Sequence, residues 1–226
     1  MISLADLRPG DLMFGPIGGI VPGIFPVGVG QAMLGELFDV GQLKVRHVGI
    51  VVQARTERLS RNDGPRLVQA MPHGAEEIEM SPATHWTPRH AYVRLPEDYP
   101  GQAEDAAAIA RLFVSEKIPY SFASYAALAA WKWGIKTPRL ERWIDRRCEP
   151  CPASPVIHRK GPWPGQLFTA CLPAEAICSV LADQAWSLAG KRVMQGVAHQ
   201  AVTPGALAGQ LLGREGATWI LPGRTA

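Results

Sequence analysis

A change of register at about residue 100 constrains the fold of this chain most. Before it, short segments alternate apolar and polar side chains and are separated by turn residues. After it, the apolar spacing is helical. Val45 to Ala54 is the clearest strand: Val48, Ile50 and Val52 alternate with His47, Gly49 and Val51. Arg8-Pro9-Gly10-Asp11 is a turn feeding Leu12-Met13-Phe14, and Asn62-Asp63-Gly64-Pro65 is a turn leading into Arg66 to Ala70. Ile78-Glu79-Met80 adds a further strand candidate, and His90 to Leu95 alternates again up to Pro96. Consecutive short strands joined by turns imply an antiparallel sheet.

Gln102 to Lys117 then brings Ala106, Ile109, Ala110 and Phe113 to one helical face. Ser124 to Trp133 and Leu140 to Arg147 are further helix candidates. Cys178 to Ala189 is a helix with Val180, Leu181, Ala185 and Leu188 on one side and Gly190 placed to stop it. Thr203-Pro204 opens a last helix from Gly205 to Leu212, and Thr218 to Leu221 reads as a closing strand. Strands first and helices later predict an α+β domain, an antiparallel sheet packed against helices. The whole chain, residues 1–226, reads as a single domain.

Two stretches interrupt this pattern, at about residues 15–44 and 134–167. Gly15 to Leu34 is apolar, but Pro16, Pro22, Pro26 and repeated glycines argue against a membrane-spanning helix. Cys148 to Gly165 is proline-rich with little periodicity and reads as an inserted loop. Charge is nearly balanced, 23 Lys plus Arg against 20 Asp plus Glu, so nothing favours a polyanion such as nucleic acid. The Arg139 to Arg147 stretch reads as a solvated helix face. Met1 to Asp11 has no basic start followed by an apolar run, so no secretory signal is expected. Cellular location stays open.

Two segments carry chemistry. His47 heads the strand, its ring directed away from the Val48/Ile50/Val52 face, with Gly49 expected to leave space beside it. Cys178 heads its helix, where unpaired N–H groups and the helix dipole favour a thiolate and can hold an oxyanion. An imidazole facing such a thiol is the arrangement a cysteine nucleophile needs. Gln69, on the next strand, is the candidate to orient the ring, with His73 and Glu76 as substitutes. Cys171, ahead of Pro173, is the rival nucleophile.

Four cysteines are too few for a disulfide scaffold in 226 residues. Cys148-Glu149-Pro150-Cys151 with His158 and Cys171 gives C-x2-C-x6-H-x12-C, which fits no zinc pattern, so neither metal nor other cofactor is expected.

At these residues the chain resembles the circularly permuted branch of the NlpC-type papain-like superfamily, which includes YiiX-like proteins and lecithin:retinol acyltransferase-like enzymes. The resemblance lies in Leu7-Arg8-Pro9-Gly10-Asp11-Leu12-Met13-Phe14, His47-Val48-Gly49-Ile50, Val68-Gln69-Ala70, Pro119-Tyr120-Ser121 and Cys178-Ser179-Val180-Leu181. Val202 to Leu207 resembles the segment after the family's catalytic helix. Ser121 stands where the family usually has Asp. The resemblance implies a permuted papain-like fold with Cys178 as nucleophile, His47 as base and Gln69 as orienting group.

It further implies a cysteine amidase or endopeptidase acting on bacterial cell-wall peptide. Without an export signal, such an enzyme is expected as a phage tail component or a delivered effector. A lipid-directed thiol acyltransferase or esterase is the alternative, motivated by the apolar stretches. An idle assembly module, docking through its insertions, is the non-enzymatic one.

Overall fold

A computed structural model describes residues 3–16, 39–40, 43–54, 64–121, 137–139, 142, 156–160, 167–171, 176–195 and 202–222. Ten strands and four helices lie within them: β1 (Leu12–Gly15), β2 (Asp39–Val40), β3 (Leu43–Lys44), β4 (His47–Gln53), β5 (Arg66–Met71), β6 (Gly74–Glu79), α1 (Pro82–His85), β7 (Ala91–Arg94), α2 (Gln102–Ser115), β8 (Val156–Lys160), β9 (Leu167–Cys171), α3 (Cys178–Leu188), α4 (Pro204–Leu212) and β10 (Thr218–Ile220). Six strands form one antiparallel sheet in the order β10-β7-β1-β4-β5-β6. The architecture is α+β, a six-stranded antiparallel sheet packed against helices.

Alternation along the central strands divides the core in two. Val48, Ile50, Val52, Val68 and Ala70 face α2, α3 and α4 and join Phe113, Leu181, Trp186 and Leu207 in the larger cluster. Met13, Val51, Leu67 and Tyr92 face the other way and pack with Leu7, Met80 and Ile220. With both faces covered, the strands bury nearly every side chain of β1 and β4.

The Arg8–Asp11 turn locks the sheet to the helices. Gly10 adopts φ +85°, and a Cβ there would lie 2.7 Å from the Cβ of Ala103 on α2. Its N–H donates to Val51 O, Val51 N–H returns to Asp11 O, and its own carbonyl accepts from Nε1 of the fully buried Trp186 on α3 at 3.1 Å. The buried Asp11 carboxylate takes Nε and Nη2 of Arg94 at 2.9 and 2.7 Å.

The start of α3 is set from the far edge of the sheet. Ala75 N–H of β6 donates to Ile118 O, and Tyr120 pairs with Ala176 in a parallel bridge. The Pro119-Tyr120-Ser121 segment thereby fixes where Cys178 begins its helix. Ser179 Oγ anchors the same turn on Val202 O at 2.6 Å, and Asp183 Oδ1 accepts from Met194 N at 2.9 Å.

The strands and helices expected from the sequence are present to within a few residues wherever they fall among the described residues. Ser124 to Trp133 lies outside them, as do Gly15 to Leu34 beyond Pro16 and most of Leu140 to Arg147. Cys148 to Gly165 is not wholly loop: β8 pairs with β9 in a separate antiparallel ribbon, Val156 opposite Cys171. Val156-Ile157 and Leu167-Phe168 carry strand-forming side chains that the surrounding prolines obscure. Among the described residues, no helix is long and apolar enough to cross a membrane.

Candidate functional site

His47 opens β4 and Gln69 is central in β5. Gly49 pairs with Gln69, so the two candidate side chains are diagonal neighbours on one face of the sheet. Gln69 Oε1 lies 2.7 Å from His47 Nε2. The tight turn at Pro72-His73 pairs Met71 with Gly74 and therefore Gln69 with Glu76. Gln69 Nε2 donates to Glu76 Oε1 at 2.8 Å, and Glu76 Oε2 meets His73 Nε2 at 2.8 Å.

The series of bonds fixes the protons. Glu76 accepts, so the Gln69 amide must turn its NH2 toward it and its oxygen toward His47. His47 Nε2 then carries the proton, and Nδ1 is left as the acceptor. Burial pulls the His47 pKa below the ordinary histidine value, against opposing effects of the Gln69 hydrogen bond and the Glu76 charge. Burial thus favours the neutral imidazole.

Cys178 is 2 % exposed, at the first position of α3, with Ile177 as an extended N-cap that offers no side-chain capping bond. Val51 directs its N–H and C=O to the β1 side, so alternation turns the Val48 amide toward β5. The β4–β5 ladder begins only at Gly49, which leaves that amide available. That amide, with those of Ser179 and Cys178 itself, lies near enough to the Cys178 sulfur to favour its thiolate. Val48 follows His47 in β4, so the thiol lies near the start of that strand. Nδ1 is the ring nitrogen nearer the strand's main chain. Desolvation nevertheless pushes the thiol up to about 11, outweighing the three amides that favour thiolate.

His47 and Gln69 line a cavity of about 710 Å³ on the sheet face opposite the large helices. Met13, Pro16 and Met71 line it as well, and its wall is made by Ala83, Thr84 and His85 of α1 and by Thr87 to His90 ahead of β7. Ser81 caps α1 and Pro82 takes its first position, a start signal the sequence reading passed over. This wall brings in His85 and His90, neither of which was expected at the site. The edge of the His90 ring lies over Gly15, where a Cβ would come within 2.4 Å of its Cδ2. Burial and the neighbouring imidazoles lower the His90 pKa to about 4.

The structure thus brings His47 and Gln69 into contact, puts the Cys178 thiol near the amide of Val48, and places His73 and Glu76 behind Gln69 rather than in its stead. The space expected beside Gly49 is filled: a Cβ there would be 3.0 Å from Leu67 side-chain carbons. Cys171 ends β9 rather than preceding a described helix. Cys148 and Cys151 lie outside the described residues, among which no cluster of His, Cys, Asp or Glu is arranged to hold a metal ion. No family model, no curated protein and no solved structure matches the chain.

Proposed function

We propose that the chain is a cysteine hydrolase of permuted papain-like architecture, an amidase or endopeptidase directed at bacterial cell-wall peptide. The observation that carries the reading is the ordered set Glu76–Gln69–His47, next in β4 to Val48, whose amide lies near a helix-terminal thiol. In the reaction, the Cys178 proton passes to His47 Nδ1 as sulfur attacks the amide carbonyl carbon and forms the C–S bond. His47 gives that proton to the departing amine as the C–N bond breaks. Water then loses a proton to His47 and adds to the thioester, the C–S bond breaks, and the proton returns to sulfur. Gln69 holds the imidazole through both halves, and the amides around the sulfur are positioned to accept developing negative charge. The substrate class follows the family resemblance, and the orientation of His47 supports the chemistry.

The test is release of free amines from purified peptidoglycan by the full chain. Cys178→Ala should abolish release. Gln69→Ala should lower kcat by about ten- to a hundredfold with a smaller effect on KM, as expected for loss of ring orientation. Equal release by wild type and Cys178→Ala would overturn the proposal. Turnover of acyl esters without peptidoglycan cleavage would keep the thiol chemistry and replace the substrate.

A further inference from the structure

We propose that the cavity beside His47 binds an organic carboxylate with a compact apolar body, its oxygens taken by His85 and His90 with Arg89 at the rim. This goes beyond the hydrolase reading: the cavity shares His47 and Gln69 with the proposed site, but Cys178 does not line it. It rests on the placement of His47 and not on reactivity of the thiol.

Among the described residues lining the cavity there is no Asp or Glu, while three imidazoles and one guanidinium face it. Among the described residues, the carboxylate that reaches this cluster is Glu76 on β6, and both its oxygens are engaged, one by Gln69 and one by His73. Tyr92, beneath the wall, is held neutral by burial and donates its hydroxyl to the His85 carbonyl. The electrostatic bias is therefore toward an anion. Met13, Pro16, Met71, Ala83 and Pro88 make the rest of the lining apolar, which suits a hydrocarbon body.

The hydrogen bonds also say which nitrogens face the ligand. Ser81 N–H donates to His85 Nδ1 at 3.1 Å and the Thr84 hydroxyl meets the same nitrogen at 2.7 Å; the amide can only donate, so Nδ1 is an acceptor and the neutral ring carries its proton on Nε2. That arrangement opposes a second proton on His85, because Nδ1–H would confront the Ser81 amide. His90 differs. Its Nδ1 meets the Thr87 hydroxyl at 2.9 Å with no backbone amide among the described residues donating to it, and a hydroxyl can rotate from donor to acceptor. His90 is thus the imidazole able to take up a proton when a carboxylate arrives, while His85 serves as a fixed neutral donor. Its low free-state pKa means the proton is absent until then. Affinity should therefore rise as pH falls.

The probe is 4-methylpentanoate, compared with 4-methylpentanamide, which keeps the body, and acetate, which lacks it. Full-length Cys178→Ala protein is titrated calorimetrically in two buffers of different ionisation enthalpy, with histidine side-chain nitrogen spectra recorded in parallel. The acid should bind about tenfold or more tighter than either comparison compound at pH 5.5, and about tenfold tighter there than at pH 7.5. Proton uptake should appear at His90, with the His85 tautomer unchanged. His90→Gln should remove the uptake, and Arg89→Gln, an exposed change that spares the fold, should weaken the acid alone severalfold.

Equal binding of acid and amide, pH-independent affinity, or uptake that persists in His90→Gln would overturn the proposal. Because the thiol is absent throughout, failure here is separable from failure of the hydrolase reading, which rests on Cys178-dependent turnover.

Discussion

Replacing Glu76 with Gln isolates what a charge contributes to a base it never touches. The substitution keeps an oxygen to accept from Gln69 Nε2, so the orientation of the Gln69 amide and the proton on His47 Nε2 should survive. On the His47 side only the charge is lost; toward His73 an NH2 replaces the second oxygen. Two hydrogen bonds, of 2.7 and 2.8 Å, and the width of one amide separate carboxylate from ring, about 7 Å in all. At an effective dielectric near 20 a unit charge at that range is worth about 2 kcal/mol, and in bulk water about 0.6 kcal/mol. Glu76 is 28 % exposed and His47 is buried, which places the pair between these limits.

The sign is unambiguous: a lost anion disfavours the imidazolium. Glu76→Gln should lower the proton affinity of His47 about tenfold and slow acyl-enzyme formation by a similar factor, because that step needs the imidazolium. Titration of carbon-labelled histidine by NMR follows His47 separately from His73. A change of less than about twofold in His47 proton affinity would refute the relay, and so would loss of the Nε2–H tautomer.

The glycines of the first turn and of the α2 entry make a matched pair. Both have positive φ, but a Cβ on Gly10 meets Ala103 at 2.7 Å whereas one on Gly101 has nothing within 4 Å. Gly101→Ala should cost about 1 kcal/mol and Gly10→Ala about 2–4 kcal/mol in urea unfolding; similar costs would contradict the packing. Trp186→Phe removes the donor to Gly10 O and should cost about 1–2 kcal/mol by the same measurement.

His90, whose pKa is depressed on folding, binds protons less readily folded than unfolded. Its contribution to stability is therefore complete above about pH 6.5 and lost as pH falls toward about 4. Melting curves of wild type should decline over that window more steeply than those of His90→Asn, and parallel curves would count against it. Iodoacetamide, followed by peptide mapping, should label Cys178 on the folded protein far more slowly than free cysteine at pH 7, by about a hundredfold. A fast rate that stays flat from pH 5 to 8 would instead reveal a preformed thiolate–imidazolium pair.

The sheet was legible because β4 and β5 alternate cleanly and are bounded by turns, and α3 because its apolar spacing runs from Cys178 to a stop at Gly190. Gly190 indeed adopts φ +89°. The His47–Gln69 contact followed from placing the two residues on neighbouring strands. The role of Glu76 was legible in principle. A two-residue turn at Pro72-His73 sets Gln69 against Glu76, and counting back across that turn gives the pair without coordinates. The α1 wall was harder. A four-residue helix has too little periodicity to register, and only Ser81-Pro82 announces it. Nothing local says that His90 folds over Gly15, because that contact depends on β7 pairing with β1 across an intervening run of several strands. Gly49 misled for a related reason. An absent side chain predicts space only if no neighbour fills it, and Leu67, from the adjacent strand, does.

Burial acts in the same direction on both members of the proposed catalytic pair. It raises the thiol and lowers the imidazole, so at rest the proton belongs on sulfur and both groups are neutral. A neutral pair is also the cheaper one to bury, since an ion pair would lose the hydration of both charges. The means of reversing this order are already in place around the two groups. Glu76 acts through Gln69 to favour the imidazolium, and the amides of Val48, Ser179 and Cys178 favour the thiolate. Each is too weak alone to overcome desolvation. A substrate carbonyl adds what is lacking, because attack moves the negative charge from sulfur to an oxygen that can accept hydrogen bonds more strongly than sulfur does. Proton transfer and C–S bond formation then belong to one step. A site built this way keeps its nucleophile protonated until a carbonyl is in position, which makes the depth of Cys178 compatible with the chemistry proposed for it.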